Sequence, residues 1–86
     1  MKLIKMKNGY VNADMIESFA VLEHEKYCDI VAYAPSYSDD SEYYNLGQAN
    51  EEYEAYQRLN ILAKWLTETK YGIFDVMLGG DDHAAD

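Results

Sequence analysis

The chain has 86 residues, of which 49% are hydrophobic, with one proline and five glycines, so it suffices for one folded core and is too short for two. Its 16 acidic residues against seven basic ones give a net charge of -9, which disfavours direct binding to nucleic acid or to an anionic membrane and favours basic protein surfaces. Because no apolar run approaches the ~20 residues of a membrane span and no secretory leader pattern is present, we expect a cytoplasmic protein.

The first half of the chain has the pattern of β-strands. Lys2 to Lys7 alternates apolar and basic residues, and Asn8-Gly9 predicts the two-residue turn of an antiparallel hairpin. Further strands are predicted at three places, namely Ile16–Glu23, Tyr27–Ala34 and Glu42–Leu46. Gly47 is expected to end the last of these strands. For the first of the three, the pattern leaves open whether Phe19 or Ile16 faces the core.

One long helix is predicted over residues 50–70. Asn50 is a suitable N-cap, acidic residues follow it, and Gly72 is expected to cap the C-terminus. One apolar stripe should close the core, formed by Ala55, Leu59, Leu62, Ala63 and Leu66. We therefore expect a single α+β domain over residues 1–80, in which a meander of about four antiparallel strands packs against this helix. Residues 81–86 are expected to form a flexible acidic tail.

An apolar segment follows the helix and has three interpretations. It can fold back over Trp65, add a strand, or dock on a second copy of the protein. Ile61 and Trp65 form a helical pair beside the main stripe and need a cover of their own. The third interpretation predicts a structural or regulatory homodimer, whose candidate self-association residues are Ile61, Trp65, Phe74, Val76 and Leu78.

Motifs for catalysis are missing from the sequence. It has no glycine-rich phosphate loop, no nucleophile elbow, no His-Glu-x-x-His, and no second cysteine to pair with Cys28, which is expected to be buried. His24 between Glu23 and Glu25, and the acidic tail, lack the fixed geometry of a metal site. We therefore expect neither an enzyme nor a cofactor nor a metal ion.

The interval between Lys26 and Arg58 contains seven acidic residues, seven of the nine tyrosines and no basic residue. Carboxylates can present the charge pattern of a phosphate backbone to Arg and Lys, and tyrosine rings can replace stacked bases. The simpler interpretation, a solvated face that provides solubility, stays open. The candidate partner-binding residues are Asp39, Asp40, Glu42, Tyr43, Tyr44, Glu51, Glu52, Tyr53 and Glu54.

Small size, excess acid, and the acidic tyrosine clusters at residues 39–44 and 50–54 together resemble the small proteins that phages and mobile elements use against host defence, anti-CRISPR proteins in particular. The resemblance is one of overall character rather than of a motif. It implies an inhibitor that acts by DNA mimicry in the host cytoplasm, where it occupies the basic channel of a nuclease or surveillance complex. Lys2, Lys5 and Lys7 depart from the pattern of a pure DNA mimic.

Overall fold

The computed structural model describes residues 1–6, 9–35 and 43–81 and shows an α+β protein with one α-helix in those residues, as predicted. A short 3₁₀ helix, Ala13–Met15, lies between the second and third strands. The main elements in chain order are β1 (Lys2–Met6), β2 (Gly9–Asn12), β3 (Ser18–Glu23), β4 (Cys28–Tyr33), β5 (Tyr43–Ala49), α1 (Glu52–Glu68), β6 (Gly72–Asp75) and β7 (Gly80–Asp81).

The first sheet has the strand order β2-β1-β6-β7. β1 and β2 form the predicted antiparallel hairpin, in which Ile4 lies opposite Val11. β6 pairs with the other side of β1 in parallel, and this pairing sets Ile4 opposite Phe74. All three side chains are buried in the hydrophobic core. The core face of this sheet is therefore formed by residues from both ends of the chain.

The second sheet is an antiparallel meander with the order β3-β4-β5. β4 lies in the middle and is almost wholly buried, as expected for the strand with the strongest strand-forming composition. Phe19 and Val21 on β3 pack against the core beside the helix, and Ile16, just before β3, packs there as well. Both residues left open by the sequence pattern thus contribute to the core.

The prediction of one four-stranded meander was wrong, because the strands divide into two sheets. The apolar segment after the helix supplies β6, which pairs with the other side of β1, and β3 pairs with β4 rather than continuing the first hairpin. Periodicity identifies strands but does not identify their partners, particularly when the partner lies at the other end of the chain. Of the three interpretations of this segment, the addition of a strand is the observed one, and it also covers Trp65.

The helix is shorter than predicted at both ends. Its N-cap is Glu51, whose side chain makes no capping hydrogen bond, and its C-cap is Thr69, whose N–H donates to the carbonyl of Trp65 at 2.9 Å. Gly72 does not cap the helix. It begins β6 with a φ of 140°, where a Cβ would lie 3.3 Å from the ring of Trp65. Glycine is needed here for backbone conformation and for close packing.

The buried face of the helix agrees with the predicted stripe except at one position, since Leu59 and Leu66 pack against the core as expected. Ala55, Leu62 and Trp65 are buried, while Ala63 is exposed. The indole of Trp65 packs on the ring of Phe74, with centroids 5.3 Å apart. Because β6 brings this ring beside the helix, the large indole takes the buried position that the sequence pattern gave to an alanine.

The turn after β6 connects the helix to both sheets. The Asp75 carboxylate accepts a hydrogen bond from the N–H of Met77 at 2.9 Å. Arg58 donates to the carbonyls of Val76 and Met77 at 2.9 and 2.7 Å, and to Glu54 at 3.1 Å. These bonds fix the turn that places Met77 against β5.

β5 does not end at Gly47, contrary to the prediction, but continues to Ala49. The β4–β5 register shifts at Ile30 and Val31, so Leu46 is an extra residue, as in a β-bulge. A Cβ on Gly47 would lie 2.4 Å from the sulfur of Met77. The glycine is therefore the site where the turn after β6 contacts the second sheet.

Candidate protein-binding surface

The β3–β4 turn and the start of the helix lie at the same end of the second sheet. Cys28 pairs with Glu23 on one side and with Ala49 on the other, so the turn and the residues just after β5 are neighbours. We call this end the acidic pole. Its members are all exposed and are Glu23, Glu25, Tyr27, Glu51, Glu52 and Tyr53.

Two carboxyl groups meet within the acidic pole. A side-chain hydrogen bond with Glu23 raises the pKa of Glu52 above its usual range, and the negative charge of Glu23 adds to this effect. A hydrogen bond between two carboxyl groups requires that one of them carries a proton. When both groups are ionised, their like charges repel each other. A guanidinium or ammonium group placed between them would remove that repulsion.

The turn that carries Glu23 and Glu25 is held in place by a buried carboxylate. Asp29 accepts hydrogen bonds from Gln48 at 3.1 Å and contacts His24 Nε2 at 2.8 Å. Burial opposes ionisation of Asp29, but hydrogen bonds from Asn45, His24 and Gln48 outweigh it and lower its pKa. Tyr27 stacks on the imidazole of His24 with ring centroids 4.6 Å apart.

The predicted partner-binding residues separate into two groups. Glu51, Glu52 and Tyr53 belong to the acidic pole, and the Tyr53 side chain is 70% exposed. Glu54 forms an ion pair with Arg58 at 3.1 Å, which offsets its charge. Asp39, Asp40 and Glu42 lie outside the described residues.

Tyr43 and Tyr44 lie at the opposite end of β5 from the acidic pole. The strand has seven residues, which corresponds to about 20 Å between its ends at ~3.3 Å per residue. Tyr43 contacts Tyr33 edge-on, with centroids 6.0 Å apart. Both tyrosines line an open pocket of about 620 Å³, which Lys5 and Asp75 also line. The acidic, tyrosine-rich surface expected from the sequence is thus two regions at the two ends of one strand.

Glu23, Glu25 and Tyr27 were missed as members of the surface. The sequence pattern favours a solvated turn for Glu23 and Glu25 and a strand for Tyr27. The informative signal is the register of β4 against β5, which sets Cys28 opposite Ala49 and brings the turn beside the helix start. Registers of this kind follow from tertiary packing, so periodicity alone does not provide them.

The predicted self-association residues are also divided. Trp65, Phe74 and Val76 are buried in the core of the protein, whereas Ile61 and Leu78 are exposed. The three buried side chains already have partners within the chain, such as the contact between Trp65 and Phe74. In the folded protein they do not line a surface on which a second copy can dock.

Among the described residues, no group of three or more His, Cys, Asp or Glu side chains is arranged to hold a metal ion. Cys28 is buried, and burial together with neighbouring carboxylates raises the pKa of its thiol, which keeps the thiol protonated and unreactive. Within the same residues, no helix has the length and apolar character needed to cross a membrane.

Comparisons of the chain with protein-family models, with curated proteins and with solved structures found no match.

Proposed function

We propose that this protein is a non-enzymatic, acidic inhibitor that binds another protein and occupies its basic nucleic-acid-binding site, in the manner of anti-CRISPR proteins. The observation that carries the proposal is the acidic pole, where two segments far apart in sequence bring exposed carboxylates and tyrosines together. The target class is a host defence nuclease or surveillance complex in the host cytoplasm.

The charge of the pole favours cationic partners in two ways. Glu23 and Glu52 repel each other when both are ionised, so contact with Arg or Lys releases an unfavourable interaction already present in the free protein. Complementary charge also accelerates encounter with the partner and excludes partners of like charge. The net charge of -9 extends this preference beyond the pole.

Tyrosines supply the apolar part of the proposed contact. Tyr53 and Tyr27 are exposed beside the carboxylates, and a tyrosine ring offers a large contact area at low entropic cost. Tyr43 and Tyr44, about 20 Å away along β5, form a second exposed aromatic region. Together the two regions match a partner with an extended basic groove better than one with a small basic pocket.

The homodimer predicted from the C-terminal segment receives no support from a specific contact. Three of its five proposed residues are core residues, and the remaining two, Ile61 and Leu78, are exposed.

The proposal is tested by capture and then by matched charge reversal. Tagged protein is incubated with host lysate at low and high salt, and the retained proteins are identified by mass spectrometry. We expect a nucleic-acid-binding protein that is lost at high salt, because exposed charge contacts are screened over a Debye length of ~8 Å at physiological ionic strength.

Affinity for the captured protein is then compared between Glu52→Lys and Glu68→Lys. Both glutamates are exposed, and they lie at the two ends of the helix, so the variants carry the same change in net charge. We expect about tenfold weaker binding for the first and little change for the second. Equal affinity of the two variants, with unfolding midpoints close to that of the native protein, would exclude the acidic pole from the binding surface.

A further inference from the structure

β3 is an edge strand with an unpaired backbone side in the described part of the chain. The sheet order β3-β4-β5 gives it one strand neighbour. His24 N–H donates to the carbonyl of Tyr27 at 2.8 Å, so His24 and Tyr27 are a hydrogen-bonded pair, and every second residue of β3 counted back from His24 bonds to β4. Because bonding alternates along an antiparallel strand, the N–H and C=O groups of Phe19, Val21 and Glu23 point away from β4.

This edge lacks the features that usually block strand addition. Ser18–Glu23 contains no proline and no lysine, and its register with β4 is continuous over these six residues. The one irregularity lies just before the strand, where the N–H of Glu17 also donates to the carbonyl of Tyr33 at 2.7 Å. The side chains of Phe19 and Val21 pack against the core but are only partly buried. An added strand would cover them and would satisfy the outward backbone groups.

Charge determines which strand can be added. Glu17 precedes β3, Glu23 ends it, and Glu25 follows in the turn. Antiparallel pairing with a second copy about Ala20 sets Glu17 opposite Glu23, and pairing about Val21 sets Glu17 opposite Glu25. Two-fold symmetry repeats each repulsion at the other end of the ladder. The edge therefore disfavours its own copy and favours a strand with basic residues at both ends.

We propose that the free edge of β3 binds an extended segment of a basic partner as an added antiparallel strand. The segment alternates apolar and polar residues and carries Lys or Arg at each end. This inference rests on the proposed function, in that it takes the partner to be a basic protein. Glu23 is both the last residue of β3 and a member of the acidic pole, so strand addition and charge pairing occur side by side.

The first test uses a nine-residue peptide with alternating valine and threonine in the middle and two lysines at each end. Amide hydrogen exchange is followed by NMR on the intact protein. Protection is expected to rise at Phe19, Val21 and Glu23, whose N–H groups point outward. Amides at Ser18, Ala20 and Leu22 should change little, because they already bond to β4. Binding of the peptide without new protection at the outward amides would overturn the proposal.

An N-methylated peptide of the same sequence is the matched control. Methyl groups on alternate amides remove the donors that face β3 and leave every charge in place. We expect binding about tenfold weaker or worse, since each backbone hydrogen bond contributes about 1 kcal/mol. Equal affinity of the two peptides would show that charge alone accounts for binding and would overturn strand addition.

The second test is Glu17→Lys, compared with Glu68→Lys at the end of the helix. The change at residue 17 sets Lys opposite Glu in both self-pairing registers, so sedimentation should show more self-association than in the control variant. The lysine peptide should also bind Glu17→Lys more weakly. No difference between the variants in either measurement would overturn the proposal that the edge of β3 binds an added strand. If capture of the partner still depends on Glu52, the proposed function survives the failure of the edge tests. If capture does not depend on Glu52 but the peptide tests give the expected results, the edge inference stands and the acidic pole does not.

Discussion

The two sheets differ in how far apart along the chain their paired strands lie. The second sheet joins consecutive strands, and β3 and β4 are connected by a turn of four residues. The first sheet joins β1 to β6 in parallel, pairing Lys2 with Gly72 and Lys5 with Asp75 across almost the whole chain. The comparison shows that local hairpins define one half of the protein, while the other half forms only when the ends of the chain meet.

The difference also predicts where side-chain contacts matter most. A hairpin is fixed by its own turn and ladder, but the β1–β6 pairing has no connecting turn and depends on packing of β6 against the helix. Trp65 and Phe74 supply that packing. Changes at this contact should destabilise mainly the first sheet, and changes at Asp29 on β4 should destabilise mainly the second.

The largest effect is expected for Phe74→Ala. The side chain is only 1% exposed and contacts Trp65, so its removal should lower the free energy of unfolding by about 3–5 kcal/mol. Urea unfolding followed by fluorescence of the single tryptophan measures the loss. Leu78→Ala, at an exposed position nearby, should change stability by less than about 0.5 kcal/mol.

If Phe74→Ala does not fold, Phe74→Leu gives a smaller loss that remains measurable. Amide exchange in this variant should accelerate more in β1 and β6 than in β4. Uniform acceleration in both sheets would contradict the dependence of the first sheet on this contact.

An intermediate effect is expected for Asp29→Asn in the second sheet. The lowered pKa of Asp29 means that its ionised form stabilises the folded state. This contribution is present above the pKa of the unfolded chain, near 3.9 for aspartate, and is lost as pH falls through the lower folded-state pKa. We expect the variant to lose about 1–3 kcal/mol at neutral pH, because hydrogen bonds to a charged group are removed.

The loss caused by Asp29→Asn should shrink as the pH falls from the unfolded-state pKa towards the lower folded-state pKa, below which the native aspartate is also neutral. Unfolding curves at neutral and acidic pH test this expectation. Asp14→Asn, at an exposed aspartate, is the matched control. A deficit for Asp29→Asn that does not change with pH would mean that the amide fails for reasons of packing rather than charge.

The smallest effect is expected at Gly47, where the turn after β6 contacts the second sheet. Alanine would place its Cβ 2.4 Å from the sulfur of Met77, a flexible and half-exposed side chain that can move aside. We expect a loss of about 1 kcal/mol. In a Met77→Ala background the same change should cost less, and equal costs in the two backgrounds would show that the sulfur contact does not limit the space at Gly47.

The elements specified by local sequence were predictable, and those specified by distant contacts were not. The β1–β2 hairpin and the strand β4 followed from alternation and turn chemistry, although Gly9, predicted in the turn, begins β2 and pairs with Met6. The helix and four of the five residues of its apolar stripe were predicted correctly, but Ala63 is exposed and Trp65 is buried, because Phe74, which covers Trp65, approaches from another sheet. Composition predicts a strand end at Gly47, because a glycine in a bulge has the same composition signal as a glycine in a turn.

The candidate surface was predictable to a similar extent. Glu51, Glu52 and Tyr53 were identified from composition and are exposed, whereas the burial of Trp65, Phe74 and Val76 removes three residues from the predicted self-association surface. Glu23 and Glu25 could not be assigned without knowing that Cys28 lies opposite Ala49. Charge along the sequence indicated the kind of partner, and strand register determined which carboxylates lie together.

The parallel pairing of β1 with β6 has a consequence for the order in which the protein forms. The N–H of Gly72 bonds to the carbonyl of Met1, so the first sheet must close a loop of nearly the whole chain before its central contact exists. Closing that loop costs conformational entropy before the β1–β6 contact stabilises the fold. Pairing of β1 with β6 is therefore slower than hairpin formation. On a ribosome, the meander and the helix can assemble before residues 72–75 emerge, whereas β1 can pair with β6 only afterwards.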